Sequence, residues 1–266
     1  MVDVCILGHS HIISVLDAIT DWRTKHEREI VTQSDTFNLN CNVTNFAFGI
    51  NIHQKWHLSS TFKIIENIKI KNKNNFEYVI NNIFLKIIKG WSGDIPIVSM
   101  LFGNEHAYAM INSLPEYDFL DEEIHSYFNG VQIVDTTYID LHIEKWVAAI
   151  YHPLRIIRGL VPNPLIHILC PPPRESPELA DDLEILIDLV RRYGFVSDSL
   201  RLKLYRRYCR KLTSALTSIN CIVLTQPADA LNIDGLLKLE YAEGLTHANK
   251  YYGELLLRDL EMLIKG

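Results

Sequence analysis

The chain has little that would fit it for oxidising surroundings, for a bilayer or for a polyanionic partner. Its 266 residues include five cysteines, Cys5, Cys41, Cys170, Cys209 and Cys221. The number is odd, no C-x-x-C occurs, and Cys5, Cys170 and Cys221 lie inside apolar runs, so buried free thiols in a reducing compartment are the reading. No run approaches the ~18 apolar residues of a membrane span. Asp3 leads directly into a strand-like run with no secretory leader ahead of it, and the expected location is cytoplasmic. On that expectation the Asn42-Val43-Thr44 triplet carries no glycan. Lys and Arg total 26 against 32 Asp and Glu, a net charge of −6, which argues against a general nucleic-acid binder. Repeats, low-complexity tracts and linker-like stretches are also missing, so one domain over residues 1–266 is expected.

What is there suits a globular α/β chain. Hydrophobic residues make up 48%, enough for a sizeable core. Five short apolar runs have the length and β-branched content of buried strands: Val4–Leu7, Val43–Phe48, Ile95–Phe102, Leu165–Cys170 and Cys221–Thr225. Between them, Ile12, Val15, Leu16 and Ile19 mark one face of a helix over 12–22. The Lys- and Asn-rich stretch 62–88 keeps an apolar rhythm that reads as one or two amphipathic helices. Ser176-Pro177 reads as the cap and first turn of a helix over 177–192. Leu200, Leu204, Tyr208, Leu212 and Leu216 form the stripe of another helix, and Tyr252, Leu256, Leu260 and Leu263 that of the last. The basic residues Arg201, Lys203, Arg206, Arg207, Arg210 and Lys211 read as the solvated side of their helix. Strands alternating with helices predict a mostly parallel, five-stranded sheet covered on both faces.

The polar residues that stand out follow the strands. "ILGHSHI" ends the first strand with Gly8 and then presents Ser10 between His9 and His11. Gly49 follows the second run, "GNEH" (103–106) the third and "PPPRE" (171–175) the fourth. Ligands of open parallel sheets bind at the carboxyl ends of the strands. A serine hydroxyl attacks a carbonyl when a base, most often histidine, takes its proton. The oxyanion that forms needs donors aimed at it. Ser10 supplies the hydroxyl and a backbone N–H, Gly49 an unobstructed N–H, and Asn104 a side-chain amide. His247, just ahead of the last helix in "EGLTHANKYYGELLL", is the candidate base. Each residue also has a plainer role available: Ser10 as a helix cap, Gly49 and Asn104 as turn residues, His247 as a structural histidine. His9, His11, His106 and His247 could gather round a metal, but no carboxylate or cysteine completes a ligand spacing, so neither metal nor cofactor is expected. "PPPRE" reads as a rigid loop whose Arg174 could meet an anionic group of a substrate.

In this order, "GHS", "FAFG", "FGN" and "GLTH" resemble the four blocks of the SGNH hydrolase superfamily, the GDSL-type esterases and lipases. The resemblance spans nearly the whole chain and implies a flavodoxin-like three-layer α/β/α sandwich. It implies a serine esterase acting on a small acyl ester, with O-acetylated carbohydrate as a substrate class. Ser10 would be nucleophile, His247 base, and Ser10, Gly49 and Asn104 the oxyanion hole, with His11, His106 and Arg174 contacting substrate. The partner expected is thus a small-molecule or glycan ester. An O-acyltransferase and a catalytically weakened glycan- or partner-binding module are the alternatives on the same fold. The pattern departs from the family at three places. His9 stands where the family has an aspartate, and Phe102 where it has a glycine. Gly244 replaces the aspartate that orients the base, and the expectation is that the adjacent Glu243 takes that role, with a backbone carbonyl or a weakened Ser-His dyad as the alternatives.

Overall fold

Residues of the first strand alternate between two cores, and that alternation sets the architecture. Val4 and Ile6 pack into one apolar cluster, Cys5 and Leu7 into another. A strand buried on both faces needs a helical layer on each side. The computed structural model of the protein describes residues 2–9, 11–25, 45–47, 50–57, 65–72, 75–80, 85, 94–101, 117–122, 131–181 and 187–266. Its elements begin with β1 (Val2–Gly8), α1 (Ile12–Lys25), β2 (Asn45–Ala47), β3 (Ile50–His57), β4 (Ile65–Asn72) and β5 (Asn75–Ile80). They continue with β6 (Ile97–Met100), β7 (Tyr117–Phe119), β8 (Gln132–Val134), α2 (Thr136–Leu160) and β9 (Leu165–Ile168). Then follow α3 (Ile187–Tyr193), α4 (Asp198–Thr217), β10 (Cys221–Leu224), β11 (Ala242–Glu243), β12 (His247–Ala248) and α5 (Lys250–Lys265).

Six strands form one sheet in the order β10-β9-β6-β1-β3-β2. All neighbours run parallel except β2, which lies antiparallel on β3. Helices α1 and α5 cover one face through Ile12, Val15, Ile19, Tyr252, Leu256 and Leu260. Helices α2 and α4 cover the other through Ile143, Ile150, Leu154, Leu204, Tyr208 and Leu212. The fold is therefore the expected three-layer α/β/α arrangement of a mostly parallel sheet. Among the described residues no helix is long and apolar enough to cross a membrane.

Four expectations change. The second parallel strand is β3, not the run over 43–48, of which the described part is the short antiparallel edge β2. Within the stretch 62–88, the described residues 65–72 and 75–80 form a β-hairpin, β4 against β5, where helix was expected. Ile68-Lys69-Ile70-Lys71 alternates with period two, and Asn72 pairs with Asn75 across a two-residue connection, so turn chemistry and alternation outweigh the helical rhythm. Ser176 does not cap an α-helix: it has φ +47° and makes no capping hydrogen bond, and the described residues directly after it form a 3-10 turn, Pro177–Leu179. Within that predicted helix the described helical segment is α3.

The fourth change concerns α4. Its stripe Leu200, Leu204, Tyr208, Leu212 and Leu216 is buried as expected, but Arg201, Lys203 and Arg207 are buried too. Lys203 Nζ reaches Asp118 Oδ1 at 2.7 Å with both side chains out of solvent, and donates to the Phe119 carbonyl at 3.2 Å. Arg207 grips Asp140 with two nitrogens at 2.6 and 3.0 Å and Asp121 at 3.2 Å, while Arg210 meets Asp121 at 2.6 Å. The basic side of α4 is thus largely a fastening for the segment around β7 and for α2. Such pairs are costly to break, about 3–5 kcal/mol when one partner is removed, because the other charge stays buried.

One contact fixes the spacing of α1 and α5. A Cβ on Gly253 would lie 2.1 Å from the Ser14 carbonyl oxygen and 2.9 Å from the Val15 nitrogen, so only glycine lets these backbones come so close. Gly253→Ala is expected to destabilise the protein by about 1–3 kcal/mol through backbone displacement. Gly159, in α2, has nothing within 4 Å of its would-be Cβ. Gly159→Ala should then stabilise by up to about 1 kcal/mol through helix propensity. Urea unfolding of the two variants beside the parent checks both, and opposite signs are the expected result.

Candidate active site

The carboxyl end of β1 is tightly built. Gly8 pairs with Met100 of β6 and His57 of β3. A Cβ there would stand 3.0 Å from both the Met100 Cβ and its carbonyl oxygen and 3.1 Å from the Ile12 Cβ. A side chain at this point would have to push these neighbours aside by a few tenths of an ångström. His9 N–H then donates to Met100 O at 3.2 Å, and Ile12 N–H to His9 O at 3.0 Å, closing a turn that opens α1. Ser14 Oγ donates to His11 O at 3.0 Å and ties the first helical turn. His9 and His11 are both buried in this corner.

Ser10, Gly49, Asn104 and His106 lie outside the described residues. Their surroundings in the chain are described in part. His9 and His11 flank residue 10 at the carboxyl end of β1, and β6 with Leu101 leads towards residue 104 from the same edge. The neighbours of Gly49 are elsewhere. Ala47 pairs with Ile50, and Ile50 with Val2, at the amino end of β1. Six residues of strand, roughly 20 Å at the usual rise, separate Val2 from Gly8.

His247 opens β12 in a short hairpin with β11, where it pairs directly with Glu243. Gly244 turns the chain with φ +60°, a conformation natural to glycine, which gives a backbone reason for the lack of an aspartate there. The imidazole approaches the start of α1: ring centroids of His11 and His247 are 5.2 Å apart, at 44°. Its Nδ1 is 3.1 Å from Thr246 Oγ1. Glu243, the expected orienting group, is exposed, and its carboxylate makes no hydrogen bond or ion pair with the described residues. Cross-strand pairing places it on the same face as His247, but the ring nitrogen is bonded to Thr246. No spacing rule of the sequence points to that threonine, because its contact is with its immediate neighbour.

Arg174 has a different place from the one expected. It is buried, and its Nη1 donates to the Gly244 carbonyl at 2.6 Å. Arg201 Nη1 in turn donates to the Arg174 carbonyl at 3.0 Å, while its Nη2 pairs with Asp198. The neighbouring Glu175 accepts from Asn232 Nδ2 at 2.9 Å and from Leu239 N–H at 3.1 Å. "PPPRE" is therefore a brace that fixes the histidine hairpin to the end of β9. On the other side of the hairpin, Asn249 caps α5 by accepting from Tyr251 N–H at 3.0 Å, and its Nδ2 donates to Glu240 O at 2.8 Å.

A buried serine–histidine pair lies within the sheet. Ser99 of β6 and His167 of β9 are register partners, with His167 Nδ1 3.2 Å from Ser99 Oγ. Both are fully buried, and desolvation pushes the His167 imidazole down to about 3. A base so weak and so enclosed cannot take a proton from a reacting serine near neutral pH. Among the described residues no group of three or more potential ligands gathers to hold a metal.

No protein-family model matches this chain, and no curated protein matches it in sequence. Among solved structures it is similar to the periplasmic domain of the lipopolysaccharide acetyltransferase of Salmonella ser. Paratyphi A. The identity is 10%, the TM-score 0.46, and the match spans 99% of this chain and 84% of that one. That neighbour is periplasmic, and the cytoplasmic expectation is withdrawn. The cysteines do not support it either. Burial pushes the Cys209 and Cys221 thiols up to about 12, so both stay protonated near neutral pH and do not mark a reducing compartment.

The depressed His167 has a consequence for stability. Between about pH 3 and the ordinary histidine value of 6.5, the unfolded chain binds a proton that the folded chain refuses. Stability from this group is complete above 6.5 and is lost as pH falls, with a slope of at most about 1.4 kcal/mol per unit. Urea midpoints measured from pH 7 to pH 4 should fall less steeply for His167→Gln than for the parent.

Proposed function

We propose that the protein is a serine-dependent acyl-ester enzyme of the SGNH type, with Ser10 as nucleophile and His247 as base. The observation that carries this reading is the 5.2 Å approach of the His11 and His247 rings. Two blocks from opposite ends of the chain meet at the carboxyl end of a central parallel strand, where the fold places ligands. The glycine-closed turn at Gly8 and the doubly braced hairpin of His247 support it further, because acid–base chemistry needs the base held still.

The reaction is a two-step acyl transfer. His247 Nε2 takes the Ser10 hydroxyl proton as Oγ bonds to the ester carbonyl carbon. The Ser10 N–H and the Asn104 amide stabilise the oxyanion. Collapse breaks the carbon–oxygen bond to the alcohol, which leaves with the proton from Nε2. Water, deprotonated by the same nitrogen, then releases the acid and restores Ser10. Gly49 is not among the donors in this reading, since its neighbours Ala47 and Ile50 stand beside Val2. Small acyl esters, O-acetylated carbohydrate among them, are the substrates, and Arg174 serves the hairpin rather than an anionic substrate group.

A fluorophosphonate probe, with the adduct mapped by mass spectrometry, tests the assignment. Labelling of Ser10, abolished in His247→Ala, is the expected outcome; labelling elsewhere, or none on folded protein, overturns it. With an ester that is turned over, Asn104→Ala should lose about 10²–10³ in kcat with little change in KM.

A further inference from the structure

We infer that Thr246, rather than a carboxylate, is the positioning residue that sets the tautomer of His247. The inference rests on the reading of His247 as the base. Nδ1–H donates to Thr246 Oγ1, and Nε2 is the nitrogen that accepts the serine proton.

Three observations lead there. The Nδ1 to Oγ1 separation of 3.1 Å is that of a hydrogen bond. The place of the family's aspartate is taken by Gly244, which has no side chain and whose φ of +60° disfavours one. The carboxylate nearest in sequence, Glu243, is exposed and not bonded to the ring. The bond is also well supported. Leu245 is buried, Arg174 holds the Gly244 carbonyl, and the Asn249 cap fixes the chain directly after His247. These contacts hold the backbone on both sides of Thr246 and His247.

The direction of the hydrogen bond decides the chemistry. A hydroxyl can donate or accept. If the Thr246 hydroxyl donated to Nδ1, the ring proton would sit on Nε2 and the base would be blocked. With Nδ1–H as donor, the proton from Ser10 goes to Nε2 and the imidazolium keeps both of its N–H groups partnered during reaction. A hydroxyl brings no full negative charge, however, so the imidazolium gains less stabilisation than beside a carboxylate.

Two measurements test this independently. Long-range ¹H–¹⁵N spectra of the imidazoles should show His247 protonated on Nδ1 in the parent and shifted towards the Nε2–H form in Thr246→Val. An Nε2–H ring in the parent overturns the inference whether or not Ser10 reacts. The second readout is the rate of fluorophosphonate labelling of Ser10 across pH. Thr246→Val should slow labelling by roughly 10²-fold, while Thr246→Ser and Glu243→Gln stay within a few-fold of the parent. Thr246→Asp should move the acid limb of the profile up by about one pH unit or more, because a negative neighbour favours the imidazolium. Labelling of Thr246→Val at the parent rate, or a loss confined to Glu243→Gln, overturns the assignment to Thr246. Failure of the parent to be labelled at all overturns the serine-enzyme reading instead, and the spectra still decide the tautomer.

Discussion

The closeness of α1 and α5 at Gly253 and Ser14 is the constraint on which the candidate site depends. The backbone of one helix touches that of the other, with no room for a methyl group between them. Their apolar sides, Ile12, Val15 and Ile19 against Tyr252, Leu256 and Leu260, share one core with β1 and β6. Histidine 247 precedes α5 and His11 precedes α1, so the helix pair fixes where the two rings meet. A displacement of either helix by the width of a methyl group would change the 5.2 Å approach directly, and geometric errors of that size matter to catalysis.

The opposite layer is held by different physics. Helix α4 buries an apolar stripe as α5 does, but it also carries Lys203 and Arg207 into contact with Asp118, Asp121 and Asp140. Burying charge adds little net stability. It does impose a particular arrangement, because a shift of α4 would leave buried carboxylates without their cations. Arg201, on the same helix, extends this rigidity to the Arg174 carbonyl, and Arg174 passes it to Gly244. The hairpin of the proposed base is thus fixed from both layers, through packing on one side and hydrogen bonds on the other.

Much of this was legible in the sequence where the signal is local. The runs that became β1, β6, β9 and β10 are short, β-branched and bounded by turn residues, and the four-residue spacing of Leu200 to Leu216 and of Tyr252 to Leu260 marks two buried helical faces. The β4–β5 hairpin was not, because lysines and asparagines at alternate positions blur an alternation that pairing makes plain. The buried cations of α4 were illegible for another reason. Lys203 and Arg207 look like any solvated basic face until the chain folds Asp118 and Asp121 against them from more than 80 residues away. For the candidate site, the sequence singled out the strand ends and His247, and the fold brings His247 beside His11. The contacts of Arg174 with Gly244 and of Thr246 with His247 could not be read, since no motif spacing encodes them.

The order of the elements along the chain has a consequence for biosynthesis. Helix α1 is made before the other described helices and its cover, α5, after them. At about 5–20 residues per second, more than ten seconds separate the two on the ribosome. Throughout that interval the side of α1 carrying Ile12, Val15 and Ile19 lacks the helix that shields it, and the strands next to it have only one completed layer. The nascent chain therefore presents an uncovered apolar surface until α5 emerges, and the approach of the His11 and His247 rings forms only then.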